Sequence, residues 1–568
     1  MRALDRLNKH LHARFGDAVR AYEEDGCVVL RGALPAWEDV VAAGRMAVDR
    51  RRYAGVVNDI HFTGAPIPPM RMPSVSDMSL EGQRPDVLII GGGIVGCAIA
   101  RELTRHQLDV LLVEKEHDVA MQASSRNDGM VHPGVDLLPG QVKRRYNAMG
   151  NRMYDRVTGE LEVPFTRCGQ YLCVHRPLFV AAAFAAQLYY LLLGVPARFL
   201  TRRALKKREP ALSPGIRAAL FFPTAGTVCP YGLTIAYAEN AAENGARFSF
   251  DTAVTAMSVE NGRIQSVTTN RGTVYPAVVV NAAGVFSDEV AEMARDRFFS
   301  IHPRRGTNSI LDHKAAPQVR TIASSLGTAS TKKQHTKGGG LVHTIDNNLL
   351  VGPDACETFE RENYATYASG VRNTFDRQRH TSPGLSERDI ITYFTGVRAA
   401  TYEEDFVIGK GRRTHNLVHA AGIQSPGLTA APAIGVAVAD MAVSLLQETR
   451  AVAPNASFDP HRAAIVRPAD LSGVARDALI RREPDYGEIV CRCEQVSRGE
   501  IIAALHRAIP CDTVDGVTRR VRPGMGRCQG GFCGPLVLDI IARETCAAPE
   551  RVQKSGPGSE LLLGRTKA

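Results

Sequence analysis

The sequence opens without a charged N-terminal region followed by an apolar core. Secretion is therefore not signalled, a cytoplasmic location is expected, and the thiols should meet a reducing environment. Disulfides are the weaker explanation for its 12 cysteines. Also missing are a basic arm, a finger-type spacing and any run mixing aromatic and basic residues. Without these, a formal net charge of +10 does not argue for nucleic acid, and no nucleic-acid partner is expected. What remains is ordinary: 44% hydrophobic and 23% charged residues over 568 positions, room for several domains at about 100 to 200 residues each.

The charge excess has a local source. RFLTRRALKKR, Arg198 to Arg208, holds six cations and no anion, and it follows an uncharged run, Pro177 to Ala197. That run is long enough to meet the crude criterion for a spanning helix. Its bounding prolines, Pro177 and Pro196, and Gly194 argue against that reading. A buried or subunit-facing helix is expected; the alternative is an amphipathic element lying on a membrane surface with its cations toward anionic lipid.

The chain divides into blocks. Residues 1–83 form a small α/β N-terminal module with a linker rich in Pro, Met and Ser. In it CVVLRGAL reads as a strand, PAWEDVVAAGRMAVDRR as a helix opened by Pro35, and YAGVVNDIHFTG as a second strand. The pattern from Val28 to Ile60 resembles the BON domain of bacterial envelope-associated proteins, which implies docking. Residues 84–455 form the core, 456–486 a linker, 487–550 a small C-terminal domain and 551–568 a tail.

The core opens with PDVLIIGGGIVGCAIARELTRHQLDVLLVEKE. An apolar strand ends at Gly91-x-Gly93-x-x-Gly96, an amphipathic helix follows, and a second strand ends in Glu114. Gly91 permits a tight turn, Gly93 lets backbone approach a pyrophosphate, and Gly96 lets helix pack on strand with its N-terminus facing the anion. Glu114 falls where an acid accepts hydrogen bonds from a ribose diol. The order of strand, glycines, helix, strand and acid indicates a doubly wound dinucleotide-binding fold.

Downstream, ASSRNDGMVHPG (Ala123 to Gly134), VVVNAAGVFSDEVAEMA (Val278 to Ala294), PRRGTNSILDHK (Pro303 to Lys314), YFTGVRAATYEEDFVIG (Tyr393 to Gly409) and HAAGIQSPGLTAAPAIGVAVADM (His419 to Met441) occur in order. Together they resemble the FAD-dependent glycerol-3-phosphate dehydrogenase and D-amino-acid oxidase superfamily. The resemblance implies an α/β fold with a Rossmann-like FAD-binding domain and an inserted mixed-sheet substrate domain. It also implies FAD contacts at Ser124, Ser125, His132, Gly284, Gly422, Gln424 and Gly427. The helix following Gly427 would turn its positive end toward a reduced flavin.

Superfamily members place an arginine at Arg398 to grip the substrate's anionic group, a task suited to a fork of donors. Its bland alternative is a surface arginine paired with Glu403 or Glu404. His132 is a candidate for removing the hydroxyl proton, against a role in holding its loop; Tyr402, His335 and His343 are the other candidates.

Near the C-terminus, Cys491-x-Cys493, 34 residues, and Cys528-x4-Cys533 form a four-thiolate set suited to zinc or iron-sulfur. The surrounding GEIVCRCEQVSRGEIIAAL and GMGRCQGGFCGP resemble the BFD-like 2Fe-2S domain of anaerobic glycerol-3-phosphate dehydrogenase, a small helical fold. Arg519, Arg520, Arg522 and Arg527 would offset the cluster or face an acidic partner. Cys168 and Cys173 read as core.

The match departs in one place. Where glycerol-3-phosphate enzymes carry a phosphate-holding arginine, this chain has Asp136, and Pro139, Gly140 and Lys143 resemble L-2-hydroxyglutarate oxidases. An acid there should repel phosphate unless Lys143, Arg144 or Arg145 overrules it. The expected function is FAD-dependent oxidation of a small anionic secondary alcohol, sn-glycerol 3-phosphate first and L-2-hydroxyglutarate or another 2-hydroxy or amino acid second. Electrons would leave through a 2Fe-2S cluster to a partner subunit or quinone, with possible peripheral contact on the inner face of the membrane. A non-catalytic electron-transfer or docking subunit is the alternative of a different class.

Overall fold

The computed structural model describes residues 3–325 and 339–564. His335, one candidate proton acceptor, lies outside the described residues.

The chain begins with helix α1 (Ala3–Phe15), strands β1 (Val19–Glu24) and β2 (Cys27–Leu34), helix α2 (Trp37–Met46) and strand β3 (Val56–Phe62). β1 and β2 pair antiparallel and β2 and β3 in parallel. The connection from β2 to β3 runs through α2, whose Val40, Val41 and Ala43 face the same core as Val28, Leu30 and Ile60. The residue pattern announces β2, α2 and β3 but not α1 and β1, whose short alternation is broken by charge.

The FAD-binding half starts at β4 (Val87–Ile90), helix α3 (Ile94–Leu103) and β5 (Val110–Val113). All eight strand residues are buried, the pattern of a parallel sheet covered on both faces. The sheet runs Arg247–Ser249, β5, β4, Val278–Asn281, Leu417–Ala421 and Val407–Lys410, parallel except for the last strand.

Between β5 and the third parallel strand the chain leaves to build a nine-stranded mixed sheet. On this sheet lie helices α4 (Leu178–Leu192) and α5 (Arg202–Arg208). The chain returns through α6 (Pro230–Glu243), opened by Pro230 at its first turn with the Cys229 thiol accepting from Gly232 N. It then leaves again for two long strands, β6 (Ile301–Leu311) and β7 (Ile390–Thr401), paired antiparallel so that Arg304 stands opposite Arg398 and Gly306 opposite Gly396. Helix α7 (Gly427–Gln447) re-enters the FAD-binding half with most of its length buried against α3.

α4 corrects one expectation. Of the two alternatives, buried or subunit-facing, it is not buried within the chain: Ala183 is its single buried residue, while Leu178, Phe184, Leu188, Tyr189, Leu191 and Leu192 are exposed.

The C-terminal domain packs helices α8 (Arg498–Leu505), α9 (Val514–Val521) and α10 (Gly534–Glu544) around Val490, Ile501, Val517, Val537 and Ile541. A reciprocal pair between Ser497 and Glu500 caps α8. The segment expected as linker contains a further helix, Gly473–Arg482.

Candidate active site and cluster site

Sterics explain the glycine fingerprint. Gly91 has φ +113°, and a Cβ there would lie 2.5 Å from Ala282 O; one on Gly96 would lie 1.9 Å from Gly91 O. Only glycine permits this turn and this closeness of α3 to β4. Gly93 is the N-cap of α3, in extended conformation, and leaves the helix start open. Ser124 comes to that start, its hydroxyl accepting from Ile94 N at 2.9 Å. Ser125 bonds Gln122 O within the same turn.

Glu114 is buried at the end of β5 and accepts from Gly92 N at 2.6 Å and Glu116 N at 2.9 Å. Burial pushes its carboxyl up to about 7, although both backbone N–H groups pull it down. Gly284 follows the strand beside β4, at φ +56°. This glycine cradle, an open helix terminus and an acid at the second strand's end fit the dinucleotide half of FAD.

The other end of the cofactor-binding candidates converges on α7. Gly422 precedes its N-terminus at φ +63°, and Gly427 is its first residue. Gln424 donates to Glu404 Oε2 at 2.9 Å, tying this loop to the substrate sheet. His132 is buried nearby, its backbone N–H donating to Thr429 Oγ1 at 2.7 Å. Its Nδ1 accepts from Gly134 N at 3.0 Å, so neutral His132 carries its proton on Nε2. Nδ1 is thereby engaged within its own loop.

Tyr402 is corrected outright. Its hydroxyl meets Asn58 Nδ2 at 2.7 Å, its ring stacks on His302 with centroids 4.7 Å apart, and it belongs to the core of the N-terminal module. Burial raises its phenol far above the ordinary value. His343 is likewise committed, donating to Val319 O at 2.8 Å.

Arg398 is not the surface arginine of the bland alternative. Its guanidinium lies over Gly306, where a Cβ would come within 2.2 Å of Nη2. It donates to two carbonyls, Arg305 O at 3.2 Å and Asp354 O at 3.1 Å. Among the described residues no carboxylate lies within ion-pair distance. Burial, then the neighbouring charge of Arg304, lowers its pKa. Arg304, on the same face of the sheet, is neutralised by Glu357 at 2.9 Å and by a close pair with Glu404. Sequence reasoning missed this division of labour, although PRRG carried its residues.

Asp136 is exposed at φ +60°. Lys143 is held by Glu404 O. The acid expected to repel phosphate therefore points to solvent.

The four cysteines assemble as two pairs. Cys493 Sγ lies 3.8 Å from Cys528 Sγ, and Cys533 is near enough to Cys491 that, after burial, this neighbouring thiol raises its pKa. Among the described residues no three His, Cys, Asp or Glu side chains converge on one ion. Two pairs suit two irons, each with two thiolates. The N–H groups of Phe532, Gly530 and Gly531, with the Cys493 side chain, lower the Cys528 pKa, Phe532 contributing most. A Cβ on Gly526 would lie 2.4 Å from Cys493 Cβ, so the Gly526 backbone is pressed against the site. The donor set fits a 2Fe-2S cluster.

The arginines around the cluster face inward, not toward a partner. Arg519 and Arg520 grip buried Asp118 of the FAD-binding half at 2.9 Å each. Arg522 bridges Asp346 of the substrate sheet at 2.7 Å and Glu494 at 3.0 Å. Arg507 and Arg462 meet at Glu239 on α6. Arg527 alone of the four stays largely exposed. Between the 125–129 loop and the cluster domain lies a cavity of about 500 Å³ lined by Tyr231, Phe394, Met525 and Cys533 among others.

Residues 86–441 match the family described as FAD dependent oxidoreductase, and residues 489–543 match the BFD-like [2Fe-2S] binding domain. A glycerol 3-phosphate dehydrogenase of Caloramator mitchellensis is 36% identical over 85% of this chain and 99% of its own length. A component of the anaerobic glycerol-3-phosphate dehydrogenase of Escherichia coli K12 is 26% identical over 82% of this chain and 89% of its own. Among solved structures, the dithionite-reduced L-alpha-glycerophosphate oxidase of Mycoplasma pneumoniae with FAD bound superposes with a TM-score of 0.61. It is 26% identical and is matched over 67% of this chain and 98% of its own.

Proposed function

Because the chain belongs to the FAD dependent oxidoreductase family and ends in a BFD-like 2Fe-2S domain, we propose that it dehydrogenates sn-glycerol 3-phosphate and passes the electrons out through the cluster. Its relatives of that activity extend across both domains. Bound FAD supplies a two-electron acceptor and the cluster a one-electron relay. Electrons then go to another subunit or a quinone.

The observation that carries the substrate side is Arg398. A half-buried guanidinium whose hydrogen bonds among the described residues go to two carbonyls retains donors for an oxyanion, and none of those residues places a carboxylate within ion-pair distance of it. Arg304 beside it is already neutralised, so Arg398 holds the anion while Arg304 fixes the sheet edge through Glu357 and Glu404. With Asp136 turned to solvent, the repulsion that would disfavour phosphate is removed. The N-terminus of α7 stabilises negative charge at the 422–427 loop.

The test is an anaerobic absorbance titration of the FAD- and cluster-loaded enzyme with sn-glycerol 3-phosphate, L-2-hydroxyglutarate and amino acids. Bleaching of the flavin by glycerol 3-phosphate at the lowest concentration is expected. Bleaching by a hydroxy acid instead reassigns the substrate; bleaching by none makes the chain a non-catalytic electron-transfer subunit.

A further inference from the structure

The family match begins at residue 86, so the N-terminal module lies outside it, yet the module is closely fitted to the rest of the chain. Gly44 on α2 faces the Tyr402 ring so nearly that a Cβ there would lie 2.2 Å from Cε1, and a Cβ on Gly55 would lie 2.2 Å from Phe298 O. The two surfaces close up because both positions lack a side chain. Hydrogen bonds continue the contact: Asn58 Nδ2 donates to the Tyr402 hydroxyl at 2.7 Å, and the Asn58 N–H donates to Ser300 Oγ at 3.0 Å.

The residues gripped come directly after β7, the strand that carries Arg398. Tyr402 is held by Gly44 and Asn58, Glu403 accepts from Val56 N at 2.9 Å, and Asp405 pairs with Arg50 at 3.2 Å. Glu404, in their midst, turns to the site instead: its carboxylate pairs closely with Arg304 and accepts from Gln424 at 2.9 Å, and its carbonyl accepts from Lys143. Its φ is +52°, a left-handed conformation that a non-glycine residue keeps only where its surroundings over-determine it. The second carboxylate on Arg304, that of Glu357, accepts from Arg45 of α2 at 2.6 Å. Both groups that neutralise Arg304 are therefore positioned from the module.

Arg304 stands directly opposite Arg398 on the paired strands. A Glu404 released from its turn would stop neutralising Arg304, and an incoming anion would meet two cations in place of one. It would be bound more tightly, but drawn away from the fork of Arg398.

We propose that the N-terminal module completes the substrate site: by gripping Tyr402, Glu403 and Asp405 it sets Glu404 on Arg304, so that Arg398 alone takes the substrate's anionic group. Gly44 and Asn58 are positioning residues that act through Glu404. This rests on Arg398 as the anion clamp, not on which anionic alcohol is oxidised.

The probe is inorganic phosphate, titrated calorimetrically into the oxidised full-length enzyme loaded with FAD and cluster, with flavin bleaching by glycerol 3-phosphate followed alongside. Alanine suits a helix better than glycine, so the harm of Gly44→Ala falls on the contact with Tyr402 and not on α2. Asn58→Ala removes the bond to the Tyr402 hydroxyl and is the independent variant. Each should bind phosphate severalfold more tightly, while the limiting rate of bleaching falls by roughly tenfold through misplacement of the substrate. Glu404→Gln removes the carboxylate itself and should shift phosphate affinity in the same direction. In that background Gly44→Ala should add nothing, as expected of two changes acting through one group. Arg31→Ala, at an exposed pair with Glu24 within the module, should change neither quantity. Phosphate affinity that is unchanged or weaker in Gly44→Ala and Asn58→Ala, absence of binding throughout included, overturns the proposal. So does a full effect of Gly44→Ala in the Glu404→Gln background. A wild-type enzyme that glycerol 3-phosphate fails to bleach overturns the substrate reading instead, and the phosphate comparison still decides the role of the module.

Discussion

The cluster domain is held against the rest of the chain by buried charge, and Asp118 is where that can be broken most cleanly. Asp118 is 3% exposed and its carboxylate receives four N–H bonds, one from Arg519, two from Arg520 and one from the Val119 backbone. Burial raises its pKa, but Arg520 and then Arg519 more than offset this and hold it below the ordinary carboxylate range. Asp118→Asn keeps the size and removes the charge, leaving Arg520, itself 1% exposed, as a buried cation without its counterion. Breaking one partner of such a pair costs about 3 to 5 kcal/mol. If that cost falls on docking, the undocked population rises by roughly two to four powers of ten. The contacts at Glu239 and Arg522 still tether the domain, so the protein folds and keeps its cluster.

Anaerobic stopped-flow with glycerol 3-phosphate separates the two electron-transfer events. Flavin bleaching should remain within roughly twofold of wild type, because Asp118 and Arg398 share no hydrogen-bond partner among the described residues and sites without shared partners act independently. Appearance of the reduced-cluster signal, read by freeze-quench paramagnetic resonance, should slow by about tenfold or more, since electron transfer needs the docked pose. Hydrogen exchange should rise at α9 and α10. An Asp118→Asn enzyme with wild-type cluster reduction and wild-type exchange would refute the view that these ion pairs fix the domain.

Other consequences can be checked independently. Gly526→Ala pushes a methyl into Cys493, so the purified protein should stay yellow while losing most of its acid-labile sulfide; full sulfide content would contradict the close approach. Arg398→Lys keeps the charge but loses the fork, and kcat/KM for glycerol 3-phosphate should fall by roughly a hundredfold with the flavin spectrum unchanged. Glu114 gives a pH signature in the cofactor-free protein. Its carboxyl rises from 4.5 to about 7 on folding, chiefly through burial, so the folded chain holds a proton the unfolded chain has released. Stability from this group is present below pH 4.5 and is lost as pH climbs toward 7, by about 3 kcal/mol. Chemical denaturation of the apoprotein across that window should show the loss, and Glu114→Gln should flatten it.

What the sequence discloses and what it hides follow from the range of the forces involved. The glycine fingerprint is legible because its constraint is local: Gly96 meets Gly91 five residues away, and no other residue fits. The cysteines are legible in part for the same reason: Cys491 with Cys493, and Cys528 with Cys533, are local spacings, although the closest contact, Cys493 to Cys528, joins the two loops. Tyr402 is misleading as sequence because its partner, Asn58, lies 344 residues away, in a module whose docking no local pattern announces. His132 sits in the loop its motif implies, but its tautomer depends on a backbone N–H two residues on that the sequence does not orient.

The arginines of the cluster domain show the same limit from the other side. A run such as TRRVRPGMGR reads as a basic face because its partners, Asp118, Asp346 and Glu494, are scattered through three separate segments. Composition reports charge, and only the fold reports which charges have been spent. By that criterion the inward arginines and the 198–208 stretch differ in kind, though both look alike as sequence. The first are matched to buried carboxylates and serve to position a cluster. The second has no carboxylate within ion-pair distance among the described residues, and it follows in sequence a helix whose outer side the fold leaves exposed. A uniformly apolar helix carries no stripe to say which side faces inward, so its exposure becomes readable only once the sheet beneath it is in place.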